Sequence, residues 1–194
     1  TLFLTGARPT EALGFRWSDL TPPEGEQLGE LNISRQAHEK SGDLRKPKTK
    51  VLRRCPVAPD LYALLERYRS HVETSIGRPL EATDALLVRV EPPPFGRPAE
   101  GRWRGAAWRP QRARSWWYRD LDLLGLARRG LYSTRHTFVS RSLDLGVGLE
   151  VARSFTHVGR RRDAFFTYLH LSWAARCEAA RKLVFDREVI AELE

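Results

Sequence analysis

Strand-favouring sequence is confined to two short runs of this chain, and that scarcity restricts the folds it can adopt. LNISR at 31–35 and VLRRCPV at 51–57 are separated by a polar stretch containing Ser41 and Gly42, the composition of an antiparallel hairpin or small meander with a long loop. The 194 residues contain no internal repeat and no second composition regime. We therefore predict a single domain over 1–194 that is mainly α with a small antiparallel β-sheet (α+β).

Helical patterns account for most of the remaining chain. Pro9 in a first turn, with Glu11 close behind it, predicts a short helix from about Pro9 to Trp17. Pro59 opens a second helix, in which apolar residues recur at helical spacing. The sequence between 90 and 109 is rich in Pro, Gly, Arg and Trp, which predicts a surface loop. Further helices are expected at 110–125, 134–145, 149–155, 163–169 and 173–193.

Charge and cysteine content narrow the class of partner. Lysine and arginine total 33 against 24 aspartate and glutamate, a formal charge of +9, which favours nucleic acid first and an anionic membrane surface second. An arginine-rich composition alone would give the same charge. No stretch approaches the roughly 20 apolar residues that span a bilayer, and Cys55 and Cys177 lack both zinc-site spacing and a disulfide framework. We expect a cytoplasmic protein without a metal or other cofactor.

Four segments occur in an informative order. They are TGARPTEALGFRWSDL from residue 5, KPKTKVLRRCPV from 46, LYSTRHTF from 131, and the stretch from SFTHVG to FFTYLHL between 154 and 171. Each segment is short enough to arise by chance, so their joint order and separation carry the signal. Together they resemble the catalytic domain of tyrosine recombinases of the phage-integrase type, over nearly the whole chain.

This resemblance implies the fold of that catalytic domain and site-specific DNA recombination, in integration or excision, through a covalent 3'-phosphotyrosine. It implies double-stranded DNA as the partner. The chain has no methionine and opens on TLFLTG, which is typical of the end of an apolar helix, so we expect truncation at the N-terminal end and loss of the family's core-binding domain. The stretch from Trp173 to Glu194 is expected to dock on a neighbouring protomer in a DNA-bound homotetramer.

Arg8 and Arg135 resemble the family's two phosphate-binding arginines. Two guanidiniums can hold the non-bridging oxygens of a phosphodiester through paired hydrogen bonds, which strengthen as charge develops in the transition state. Each residue also has an ordinary interpretation, Arg8 as a solvated turn residue and Arg135 as a charge on a helix surface. Their order relative to the other motifs favours the phosphate-binding role.

Lys48, in the PKTK sequence before the second strand, resembles the lysine that the family places at a β-hairpin tip. Its ammonium can protonate the leaving 5'-oxygen. Lys46 and Lys50 lie in the same run, so a basic loop that contacts backbone phosphates without catalysis is the alternative. Lys50 is the substitute candidate for the proton donor.

His157 and Tyr168 match the end of the family pattern. His157 resembles the histidine that donates a hydrogen bond to the scissile phosphate, although Phe155 and Thr156 replace the Leu and Gly of the family's LGH segment. Because Gly suits a left-handed turn, Thr156 is expected to change how the ring is presented. Tyr168 matches the nucleophile, whose phenolate needs a cationic pocket. The alternatives are a helix-end histidine and a core tyrosine packed beside phenylalanines.

Tyr132 is the clearest departure from the family, whose commonest residue three positions before Arg135 is His. A phenol can still form a hydrogen bond near the phosphate, but its high pKa makes it a poorer proton shuttle than imidazole. Some family members carry Tyr here, so we interpret the site as a variant that is still active. His136 is expected to brace the fold rather than to touch DNA.

Other functions stay open on sequence alone. A DNA-binding remnant that has lost activity would keep the charge and the fold. A type IB topoisomerase shares the nucleophile and two arginines, but the TGARPTE and RHTF segments are closer to integrases. A metal-dependent nuclease or transposase needs gathered carboxylates, and the sequence has no compact acidic motif. An RNA-binding structural protein would explain the Trp-rich segment 95–117 but not the ordered motifs.

Overall fold

The computed structural model describes residues 1–47, 52–90, 105–156 and 172–183. These residues form helices and short antiparallel strands, which confirms the predicted α+β class. The helices are α1 Leu2–Thr5, α2 Pro9–Ala12, α3 Pro59–Ile76, α4 Pro110–Leu123, α5 Ser133–Asp144, α6 Leu149–Thr156 and α7 Trp173–Lys182. The strands are β1 Leu20–Thr21, β2 Gly29–Ile33, β3 Gln36–Ala37, β4 Leu44–Arg45 and β5 Arg53–Val57, and a 3-10 turn at Trp17–Asp19 precedes β1.

The larger sheet is antiparallel, with strand order β1-β2-β5. β2 and β5 pair from Gly29 opposite Val57 to Ile33 opposite Arg53, which confirms the predicted pairing of the two strand-favouring runs. The first run starts earlier than predicted and breaks after Ile33. β3 then pairs with β4 in a separate two-stranded sheet, which the sequence does not predict because two residues are too few to show an alternating pattern.

Most of the predicted helices are confirmed, but α2 ends at Ala12 instead of Trp17. The chain turns just beyond α2, where a Cβ on Gly14 would lie 3.0 Å from the Cα of Gln36. Continuing the helix would break this close backbone approach. The predicted helix at 163–169, residues 184–193 of the last helix and residues 91–104 of the predicted loop lie outside the described residues. Among the helices described, none is long and apolar enough to cross a membrane.

Helix α7 packs against β5 and α6 of its own chain. Its buried residues are Cys177, Ala179 and Ala180, followed by Leu183 just beyond the helix. These side chains are covered within the domain. Residues 184–194 lie outside the described part of the chain, and the docking of Trp173–Glu194 on a neighbouring protomer stays a prediction.

The core fills the space between the larger sheet and the helices. Alternate residues of β5 face inward, so that Cys55 and Val57 join Leu31 and Ile33 of β2. Phe138 of α5 packs on Phe155 of α6, with ring centroids 5.5 Å apart. Other fully buried apolar residues are Phe15, Leu61, Leu86 and Leu183.

Gly6, which follows α1, lies in close contact with α5 and the end of α6. Its φ is +59°, in the left-handed region, and a Cβ there would lie 2.6 Å from Cδ1 of Phe138 and 2.9 Å from Cγ2 of Thr156. Both the backbone conformation and the available space therefore require glycine. This contact holds the TGAR segment directly against α5 and the end of α6.

We expect Gly6→Ala to lower the free energy of unfolding by about 2–5 kcal/mol, because a left-handed alanine costs about 1–2 kcal/mol and overpacking adds about 1–3 kcal/mol. Gly77→Ala is the matched control, since Gly77 has φ +74° with nothing within 4 Å of its Cβ position. It should lose the backbone cost alone. Urea denaturation followed by circular dichroism measures both, and equal losses would show that Gly6 is not sterically constrained.

Candidate active site

A buried carboxylate organises the first motif. Glu11 is 1% exposed. Its Oε2 accepts a hydrogen bond from the backbone N–H of Arg8 at 2.7 Å, and its Oε1 accepts one from Arg8 Nη1 at 2.8 Å. It also forms a salt bridge with Arg53 of β5. An isolated carboxylate would be very costly to bury, so the two arginines make its burial possible and are held by it in return.

Arg8 lies at the N-cap of α2, with an extended backbone, directly before the helix that was predicted to begin at Pro9. Pro9 begins the helix, and Glu11 in the first turn reaches back to the cap in the manner of a capping box. The side chain of Arg8 is 23% exposed and ion-paired, so it is more than a solvated turn residue. Its guanidinium is fixed on one edge by Glu11 and keeps partial access to solvent.

Arg53, like Glu11, is a residue of the site that the sequence analysis did not predict. It occupies an inward-facing position of β5, whereas Arg54 faces solvent. The side chain of Arg53 is 6% exposed; Nη2 donates to Glu11, and Nη1 donates to the carbonyl oxygen of Thr156 at 3.2 Å. The available signal was an arginine in register with Cys55 and Val57 on the apolar face of a strand, which implies a buried cation that needs partners.

Arg135 is buried in α5, with 2% of its surface exposed. Its Nη1 donates to the carbonyl oxygen of Gly6 at 2.6 Å, and its Nη2 donates to the carbonyl oxygen of Thr156. The alternative of a charge on a helix surface is therefore wrong. In this structure Arg135 fastens the TGAR segment and the end of α6 to α5.

Arg8, Arg53 and Arg135 form what we call the arginine cluster. Burial, followed by repulsion from Arg8 and Arg53, lowers the pKa of Arg135 to about 10, so it stays cationic at neutral pH. Burial also lowers the pKa of Arg53, and attraction to Glu11 opposes this lowering. Three positive charges thus face the one negative charge of Glu11. A cluster with this excess of positive charge attracts an anion.

The carbonyl oxygen of Thr156 accepts hydrogen bonds from both Arg53 and Arg135. Thr156 is the last residue of α6 and fully buried. Its Oγ1 turns back towards the carbonyl oxygen of Ala152 at 3.2 Å, so the residue is helical rather than in the left-handed turn that glycine would allow. The next residue, His157, lies outside the described part of the chain. Its attachment point is nevertheless fixed by two guanidiniums.

The structure brings Arg8 and Arg135 together, as expected from the sequence. Lys48, His157 and Tyr168 lie outside the described residues, so their predicted roles stay predictions.

Tyr132 lies at the N-cap of α5 and is 47% exposed. Its ring meets that of His136 edge to face, with centroids 5.3 Å apart, and its hydroxyl is close enough to Arg135 to oppose the lowering of that residue's pKa. His136 is exposed, so the expectation that it braces the fold is wrong. Tyr132 and His136 form a surface pair beside the buried cluster.

Across residues 1–47, 52–90, 105–156 and 172–183, no group of three or more His, Cys, Asp or Glu side chains could hold a metal ion.

Comparison with known proteins gives a likeness in structure but none in sequence. No family model matches the chain, and no curated protein matches it in sequence. It is similar to a solved fragment of the Tn1549 transposon integrase, a tyrosine-to-phenylalanine variant in complex with transposon right-end DNA, with a TM-score of 0.57 and 18% identity. The two share a fold. The alignment covers 94% of this chain and 57% of the integrase chain.

Glu11→Gln should lower the free energy of unfolding by about 3–5 kcal/mol, because it leaves buried guanidiniums without their counter-charge. Glu178→Gln is the matched control: Glu178 pairs with Arg181 three residues away, like Glu11 with Arg8, but its side chain is 69% exposed. An exposed pair contributes at most about 1 kcal/mol. Urea denaturation of both variants makes the comparison, and a loss below 1 kcal/mol for Glu11→Gln would contradict its organising role.

Proposed function

We propose that this chain is the catalytic domain of a site-specific recombinase that cuts and rejoins duplex DNA through a covalent 3'-phosphotyrosine. The arginine cluster carries the proposal, because Arg8 and Arg53 pair with the single buried carboxylate of Glu11 while Arg135 adds a third positive charge nearby. A phosphodiester supplies the missing negative charge, and guanidiniums bind its oxygens through paired hydrogen bonds. The fold shared with an integrase that was solved on DNA supports the same function.

The three arginines have different proposed roles, which follow from how far each side chain is buried. Arg8 is the partly exposed member, and only one edge of its fork is taken up by Glu11, so the remaining N–H groups can bind a non-bridging phosphate oxygen. Arg135 donates one hydrogen from each terminal nitrogen to a carbonyl, which leaves a second hydrogen on each. Arg53 keeps the other two in place through Glu11 and Thr156. Preorganised donors of this kind stabilise the charge that develops in the transition state.

The remaining roles are assigned from the sequence. The phenol of Tyr168 loses its proton to solvent and attacks the phosphorus as the phenolate. The bond between phosphorus and the 5'-oxygen breaks, and Lys48 gives a proton to the departing oxygen. His157 and Tyr132 each donate a hydrogen bond to the phosphate. The phosphotyrosine keeps the energy of the original phosphodiester, so attack by a 5'-hydroxyl rejoins the strand without ATP or metal.

A DNA-binding remnant without cleavage activity is the second candidate. It is favoured by the engagement of both terminal nitrogens of Arg135 with main-chain carbonyls, which serves the fold directly. Both candidates bind DNA in the cytoplasm and both use the positive charge of the arginine cluster. They differ in whether a covalent adduct forms.

Tyr168→Phe should abolish the covalent adduct with a suicide DNA substrate while leaving DNA binding nearly unchanged, since only one hydroxyl is lost. Tyr132→Phe is the matched control, and it should slow cleavage without removing the adduct. Gel electrophoresis under denaturing conditions detects the adduct, and peptide mapping identifies the attached residue. DNA attached to Tyr132, or an adduct that survives in Tyr168→Phe, would overturn the assignment.

The parent chain decides between the two candidates in the same assay. Duplex binding without any adduct supports the remnant, whereas an adduct that forms in the presence of EDTA supports the recombinase and excludes a two-metal reaction.

Assembly into a homotetramer on DNA is proposed through residues 184–194, where Phe185, Val189, Ile190 and Leu193 alternate with charges in a pattern suited to a helix laid in a groove. Removing these residues should abolish the slow-migrating synaptic complex in a gel-shift assay while leaving binding to a single DNA site within about threefold. Synapsis that is unchanged by the deletion would refute this mode of assembly.

A further inference from the structure

Three arginines gather at the start of α4, apart from the arginine cluster. Arg109 is the N-cap of α4, and Arg112 lies in its first turn. Arg89 is joined to this region by the backbone, because its N–H donates to Ala106 at 3.0 Å and its carbonyl accepts from Gly105 at 2.9 Å. We call Arg89, Arg109 and Arg112 the outer arginines.

The outer arginines have no counter-charge among the described residues. None of them forms a salt bridge or a side-chain hydrogen bond there, and the first turn of α4 carries no acidic residue. Burial, followed by repulsion from Arg112 and Arg109, lowers the pKa of Arg89. Three other surface arginines, Arg78, Arg128 and Arg181, are each paired with a carboxylate. Within the part of the chain that the structure describes, the outer arginines therefore form a positive surface without a neutralising carboxylate.

Packing restrains two of these side chains. The Arg89 guanidinium lies over the ring of Trp108, 5.8 Å from its centroid, and the Trp108 indole nitrogen donates to the carbonyl of Val88 at 2.9 Å. The stem of Arg109 lies against Gly42, whose Cβ position is 3.2 Å from Cγ of Arg109. Restraint of this kind lowers the entropy lost when a ligand binds.

Helix α4 lies next to the segment that carries Arg8. An apolar cavity of about 400 Å³ lies between them, lined by Pro9 and Ala12 of α2 and by Ala113 and Trp116 of α4. Phe3 of α1 meets Trp117 of α4 with ring centroids 6.3 Å apart. Helix α4, which carries Arg112 and begins after Arg109, therefore lies beside the segment that carries Arg8.

We propose that the outer arginines bind backbone phosphates of the same duplex DNA whose scissile phosphate the arginine cluster holds. Exposed guanidiniums without counter-charge bind phosphates irrespective of base sequence, and such contacts fix the position of a protein on the duplex. This inference rests on the proposed function. It adds a second contact surface, which none of the recombinase motifs contains, and assigns it a positioning role.

The test replaces all three residues, Arg89→Gln, Arg109→Gln and Arg112→Gln, in the 194-residue chain. The matched control replaces three exposed arginines that are paired with carboxylates, Arg78→Gln, Arg128→Gln and Arg181→Gln. It removes the same number of positive charges. Fluorescence anisotropy with labelled duplex DNA gives the dependence of log K on log salt concentration. Each lost phosphate contact reduces the slope by about 0.9, so the outer variant should lose about 2–3 and the control less than about 1.

Two further measurements make the result specific. A variant with lysine at the three outer positions should keep the slope within about 1 of the parent, because phosphate contacts accept a point charge. An equal loss in the glutamine and lysine variants would assign the residues to packing on Trp108 and overturn the proposal. The loss should also be the same on two unrelated duplexes, and a loss confined to one sequence would overturn it in favour of base contacts.

The parent chain separates this inference from the proposed function. If the parent binds duplex DNA and the outer variant matches the control, the phosphate surface alone is refuted. If the parent shows no salt-dependent binding to duplex DNA, both the proposed function and the surface fail. Circular dichroism and thermal unfolding verify that each variant is folded.

Discussion

The ion pairing of Glu11 with Arg8 and Arg53 is the interaction on which the rest of the structure depends. It joins the N-cap of α2 to β5, two segments that no run of regular backbone hydrogen bonds connects. Because this ion pair is buried, its charges carry a large desolvation cost, which only full pairing can offset. Arg8 and Arg53 already carry one positive charge more than Glu11 neutralises, and Arg135 adds another. The surplus destabilises the folded state and favours an anion, a conflict typical of functional sites.

Apolar packing supports this polar centre. Phe138 and Phe155 lie against each other, and Phe138 also limits the space above Gly6. The aromatic contact therefore fixes the distance between α5, α6 and the segment that begins at Gly6. Arg135 and Arg53 then bridge these elements through main-chain carbonyls, which are always present whatever the side chain. Position is set by packing, and orientation is set by hydrogen bonds.

The sequence predicted the features that depend on local pattern. The pairing of β2 with β5, the helix that begins at Pro59, and the meeting of Arg8 with Arg135 follow from alternation, helical spacing and motif order. It failed where tertiary contacts decide. α2 stops early because Gly14 approaches the backbone at Gln36. Arg53 was not predicted because arginine is usually exposed and because it follows a run of lysines that indicates a surface loop. Its position on the inward face of the strand was the contrary signal.

The position of Cys55 gives the molecule an intrinsic reporter. Cys55 shares the inward face of β5 with Arg53, and burial raises the pKa of its thiol to about 12. Only the thiolate reacts with alkylating reagents. The folded chain protects Cys55 because burial keeps the reagent away and because the raised pKa keeps the thiol protonated. Its modification at neutral pH requires β5 to leave the core, even briefly. The alkylation rate at Cys55 therefore measures the free energy of local opening at the strand that carries Arg53.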